Sequence, residues 1–72
     1  MELRHNNCLT TPSSFQRKRN GPWFPEAHLY WNDTGSTGTS FYIEAANYTF
    51  PTRQEADTYA LQFARAWIDK NL

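Results

Sequence analysis

His5 and Cys8 are residue types that bind zinc, and their three-residue offset could bring two ligands together, with His28 or Asp33 as a distant third. A structural zinc site takes four ligands, usually including paired cysteines, and this chain has a single cysteine. The set falls short, and no metal site is expected from it. Gly35-Ser36-Thr37-Gly38 lacks the lysine and the following helix of a phosphate-binding loop. Serine, histidine and aspartate are all present, but no spacing among them selects a nucleophilic triad, which is defined by geometry.

Asp33-Thr34-Gly35 is the tripeptide that carries the catalytic aspartate of aspartic proteases, and it follows an apolar stretch here. That chemistry needs two aspartates sharing one proton, so one copy per chain would require a symmetric dimer. The same residues are ordinary turn formers, and the turn reading prevails. The sequence therefore predicts no enzyme, no catalytic residue and no cofactor. Arg17-Lys18-Arg19 is the only basic run, with Trp23 close behind it. Cations interleaved with aromatics can hold a nucleic-acid backbone. They also keep an edge strand soluble and unpaired.

Charge favours the second role. Seven basic and seven acidic residues cancel to a formal net charge of zero, whereas nucleic acid and anionic membranes attract a basic surplus. The lone Cys8 excludes an internal disulfide, and with no long apolar run the chain reads as a cytoplasmic protein with no membrane contact. The matches to the N-glycosylation pattern at Asn32 and Asn47 have no weight without a secretory signal. Seventy-two residues make one domain. Its mean hydropathy is −0.81, yet aromatics make up 17% of it. Few such side chains are needed to fill a small core.

These residues must be positioned by a short list of elements. Residues 1–13 read as a flexible N-terminal arm, or at most a strand added at an edge, and 14–72 as the folded domain. Ser14–Arg19 has one apolar anchor, Phe15, for a first strand, and Asn20-Gly21-Pro22 is turn chemistry. In Glu26–Trp31, Ala27, Leu29 and Trp31 alternate with Glu26, His28 and Tyr30. After a loop over 32–38, Phe41, Ile43 and Ala45 alternate with Tyr42, Glu44 and Ala46, completing a hairpin. Pairing Leu29 with Phe41 would place Glu26 opposite Glu44, which like-charge repulsion disfavours. The preferred register therefore pairs Trp31 with Phe41, Tyr30 with Tyr42 and His28 with Glu44.

Thr52 and Glu55 form a capping box behind Pro51, and a helix over about 53–70 follows. Ala56, Tyr59, Ala60, Phe63, Ala64, Trp67 and Ile68 fill its apolar series, with Asp57 among the residues on the wet side. Trp67 is the expected centre of the core, packed on Leu29, Trp31 and Ile43. The fold class is α+β: a two- or three-stranded antiparallel sheet on one C-terminal amphipathic helix, in the order β-β-β-α.

The segment Thr49-Phe50-Pro51-Thr52-Arg53-Gln54-Glu55-Ala56 resembles the lead-in to the helix of the plant AP2/ERF DNA-binding domain. In that family, Arg and Trp side chains on a three-stranded sheet read the major groove, which would implicate Arg17, Arg19 and Trp23 by position. The family's Arg-rich first strands and its Trp-Leu-Gly step are missing here. The chain is also similar, over about half its length, to small uncharacterised bacterial proteins. These have a β-hairpin, then Phe-x-Thr-x-x-Glu-Ala, then a helix closing on Trp-Ile-Asp, as Trp67-Ile68-Asp69 does. That likeness implies the architecture and brings no function.

The function expected from the residues is a non-enzymatic protein-interaction module, self-association included. Its candidate partner-binding residues are Tyr30, Tyr42, His28 and Glu44, aromatics within a polar rim on the sheet face away from the helix. Protonation of His28 beside Glu44 would link association to pH. The alternative is nucleic-acid binding through Arg17, Lys18, Arg19 and Trp23.

Overall fold

The computed structural model describes residues 2–32, 38–45 and 47–71. Its strands are β1 (Leu3–His5), β2 (Cys8–Pro12), β3 (Phe15–Gln16), β4 (Trp23–Phe24), β5 (Glu26–Asn32) and β6 (Gly38–Glu44), followed by one helix, α1 (Arg53–Asn71). An antiparallel sheet in the order β1-β2-β5-β6 packs on the helix, and β3 and β4 form a separate two-stranded ribbon. The α+β class and the C-terminal helix are as the sequence predicts. Most of the expected loop, residues 33–37 with the Asp33-Thr34-Gly35 and Gly-Ser-Thr motifs, lies outside the described residues, as does Ala46.

The first twelve residues depart from the expectation of an arm. Asn6 and Asn7 have φ of 51° and 65°, the pair of positive values that a two-residue hairpin turn of the primed type requires. The turn folds β1 onto β2 so that His5 faces Cys8 and Leu3 faces Thr10. β2 then pairs with β5 over its whole length, from Cys8 opposite Trp31 to Pro12 opposite Ala27. Cys8 and Thr10 are fully buried, and they complete the sheet beneath the helix. A segment expected as an arm, or at most an edge strand, supplies an interior strand and two core side chains.

The β5–β6 register also differs. Leu29 faces Phe41, His28 faces Tyr42, and Glu26 faces Glu44, the arrangement that charge repulsion argued against. Each carboxylate has its own relief. The Ser13 hydroxyl donates to Glu26 Oε1 at 3.2 Å, and an Arg17 guanidinium nitrogen lies 3.7 Å from Glu44 Oε1. Both partners come from segments outside the hairpin, so hairpin-level reasoning could not include them. The face assignment survives, since a two-residue slip keeps every side chain on its side.

The helix starts at the predicted box, with a variation. The Glu55 amide donates to Thr52 Oγ1 at 3.2 Å, and the Thr52 hydroxyl donates to the Glu55 carboxylate at 2.8 Å. Such a cap contributes about 1 kcal/mol. The buried line along α1 is Ala56, Ala60, Ala64 and Ile68, one residue per turn on a single face. Alanines let the helix backbone approach the sheet closely, and Ile68 fills the space beside Leu29, Ala27 and Cys8. Burying Leu29 and Ile68 stabilises the fold by about 1.5–3 kcal/mol each. Trp67 is half-buried at the margin of this cluster, its ring centroid 6.4 Å from that of Trp31. It is not the centre that the sequence predicts.

Asp57 is a further correction. It is buried, not on the wet side, and accepts the Ser14 amide at 3.4 Å while lying 3.6 Å from Arg53 Nε. It thereby ties the first turns of α1 to the link between β2 and β3. No helix among the described residues is long and apolar enough to cross a membrane.

Candidate partner-binding face

The alternation of β2, β5 and β6 sorts side chains onto two faces. One holds Cys8, Thr10, Ala27 and Leu29 under the helix. The other carries rows that follow directly from the register: Arg4, Leu9, Tyr30 and Ser40; then Thr11, His28 and Tyr42; then Glu26 and Glu44. With α1 on the opposite side, this second face meets solvent.

Tyr42 is 63% exposed and Tyr30 41% exposed. The His28 and Tyr42 rings face one another directly, with centroids 4.8 Å apart and a 42° tilt. Tyr30 lies opposite Ser40, not Tyr42, and its ring leans across Gly38. A Cβ built on Gly38 would come within 2.3 Å of the Tyr30 hydroxyl oxygen. Glycine there leaves the ring its place on the sheet surface. The structure thus brings together Tyr30, Tyr42, His28 and Glu44 as the sequence predicts, with altered pairings. Glu44 has Arg17 as its cationic partner, and His28 has Tyr42 across from it, so the expected His28–Glu44 pairing is replaced.

Sequence reasoning missed the contribution of the N-terminal hairpin. Leu9 and Thr11 sit beside Tyr30 and His28 on the same face, and Arg4 borders them through Leu9. The signal was available in Asn6-Asn7, a positive-φ dipeptide between short β-prone stretches.

The basic residues are separated from Trp23. Arg17, Lys18 and Arg19 are exposed at the bend joining β3 to β4, where the Gly21 amide donates to the Lys18 carbonyl at 3.0 Å. Phe15 pairs with Phe24 and Gln16 with Trp23, so Trp23 and Phe24 occupy opposite faces of the ribbon. Arg17 covers the Phe24 ring at 4.6 Å. Trp23 instead bridges to Phe50 through backbone hydrogen bonds of 2.8 and 2.9 Å, with Arg53 over its ring at 5.8 Å. Trp23 therefore helps anchor the lead-in to α1, and no aromatic–cation platform forms around it and Arg17.

The remaining chemical candidates disperse. His5 Nε2 pairs with Asp69 Oδ1, which fastens β1 to the last turns of α1. Cys8 is a free, buried thiol. Among the described residues, no three His, Cys, Asp or Glu side chains gather to hold a metal ion.

Fold and face together define a small α+β sheet-on-helix domain with a wet aromatic face. Comparison of the chain with protein-family models, with curated proteins and with solved structures finds no match.

Proposed function

We propose that this protein is a non-enzymatic interaction module that docks a protein partner on the sheet face opposite α1. The observation that carries the reading is the solvent-exposed Tyr42, its ring tilted against that of His28 and bordered by Tyr30 and Leu9. Tyrosine supplies a large rigid contact area with a polar tip, the side chain enriched where partners bind. Glu26, Glu44 and Arg17 provide a charged rim around it. A reducing cytoplasm suits the free Cys8 thiol.

The test compares wild type with Tyr30→Ser/Tyr42→Ser as bait in extract from the native cell. The reading expects at least one protein retained by wild type, lost by the double variant, and reproducing that difference when purified. An identical set on both baits would remove the face as a docking surface. The substitutions lie on the wet side of the sheet, so thermal unfolding of the variant should remain close to that of wild type.

A further inference from the structure

The two edges of the sheet are not alike. β1 has three residues with Arg4 at its centre, and His5 beside it is held to Asp69 of the helix. A short, charged, tethered strand is a poor template for another chain. β6 has seven residues, Gly-Thr-Ser-Phe-Tyr-Ile-Glu, with no proline, no lysine and a single charge at its end. Among the described residues no strand lies beyond it. The helix packs chiefly over β2 and β5, with margins on β1 and β4, so it does not cap the β6 side.

The register dictates which backbone groups that edge offers. The Ala45 amide donates to the Pro25 carbonyl at 3.1 Å, and these two residues continue the register in which Glu26 faces Glu44. In an antiparallel pair, hydrogen-bonded and non-hydrogen-bonded residues alternate. Thr39, Phe41 and Ile43 therefore direct their N–H and C=O groups toward β5. Gly38, Ser40, Tyr42 and Glu44 direct theirs to the open edge. The other side of β5 agrees: the Ser13 amide donates to the Glu26 carbonyl at 2.8 Å, which turns Glu26, His28 and Tyr30 toward β2.

We propose that β6 pairs antiparallel with β6 of a second copy of this chain, around a two-fold axis at Phe41, to give one sheet running through both molecules. The axis falls on a residue whose own N–H and C=O point inward, as a non-hydrogen-bonded pair requires. Ser40 of each copy then faces Tyr42 of the other, and Gly38 faces Glu44, so every outward-directed group on the strand meets a complementary one. The register also satisfies charge. Glu44 meets a glycine, not another carboxylate, and arrives with Arg17 already beside it. Gly38 has no side chain to obstruct the incoming backbone at Glu44. Two chains of zero net charge do not repel at long range. Self-complementary two-fold interfaces are the commonest in homo-oligomers. The proposal takes up the interaction-module reading and names a second copy as one partner, but it uses the strand edge and not the tyrosine face.

Sedimentation equilibrium from micromolar to ~1 mM protein, the weak end of specific association, tests it together with amide hydrogen exchange by NMR. Wild type should reach twice the monomer mass. Ser40→Pro removes one outward N–H and should return it to monomer, since proline is tolerated on an edge strand. Tyr30→Ser/Tyr42→Ser keeps every edge amide and should remain dimeric even if it loses foreign partners. The exchange experiment needs no variant: the Ser40 and Tyr42 amides should gain protection at least tenfold between dilute and concentrated samples. The Thr39 and Ile43 amides should be protected in both. A wild type that stays monomeric overturns the proposal, as does a Ser40→Pro dimer, a double tyrosine variant that dissociates while Ser40→Pro does not, or concentration-independent exchange at Ser40 and Tyr42.

Discussion

The hydroxyl of Thr10 is buried on the inner face, between Leu3 and Leu29 in the register, without a hydrogen-bond partner among the described residues. A buried hydroxyl with no partner costs about 1–3 kcal/mol, while an apolar group of the same shape carries no such penalty. Valine has that shape and suits a strand. Thr10→Val should therefore raise stability by about 1 kcal/mol, read as a higher urea midpoint at unchanged slope. A lowered midpoint would mean that the hydroxyl does have a hydrogen-bond partner. Glu26 opposite Glu44 obeys the same rule of satisfaction. Like charges across a ladder are unfavourable only when nothing else satisfies them, and Ser13 and Arg17 do so here. Pairwise rules read from a hairpin fail where a third segment supplies the counter-group.

Among the elements, α1 was the most legible, because a capping box and a 3.6-residue period are local properties. The period did not say which apolar residues face the sheet. Its broad stripe contains both the alanine line ending at Ile68 and the flank of Tyr59, Phe63 and Trp67, and the core took the alanines. The Tyr59 ring instead lies tilted against those of Tyr48 and Phe50, with centroids 5.2 and 5.3 Å away, holding the lead-in segment against the helix. The ordering of two truncations follows. Ile68→Ala should cost about 2–5 kcal/mol, because it opens a void under Leu29. Trp67→Ala should cost less, since its half-exposed ring leaves no enclosed cavity. Denaturant unfolding of both variants checks the order, and a larger loss for Trp67→Ala would restore it as the core's centre. The β1–β2 hairpin was harder to read because its two strands are short, and Cys8 and Thr10 alternate with a half-buried Leu9. Without the sheet's other strands, nothing local distinguishes a buried threonine from a solvated one. The Tyr30–Tyr42 face was legible because period two survives a slipped register. Its His28–Tyr42 ring contact was not, because that depends on the register itself.

Across the protein as a whole, charge favours the protein-docking reading over nucleic-acid binding. The described residues form a body 43 Å long and about 20 Å across, with the basic run confined to one bend. Of its three cations, Arg17 is engaged with Phe24 and Glu44, and Trp23 faces away. Lys18 and Arg19 remain. Affinity for duplex DNA grows with the number of phosphates neutralised, and so does its loss with salt. Two or three contacts on a chain of zero net charge supply little of either. Titration of labelled duplex DNA should therefore show no saturable binding at physiological salt. Any association at low salt should fall off with a slope of about −2 to −3 in log K against log salt, one unit or slightly less per cation. Replacing Arg17, Lys18 and Arg19 with Gln should remove it. Tight binding that survives both high salt and the triple replacement would place nucleic acid on another surface, and the aromatic face would then be the first to examine.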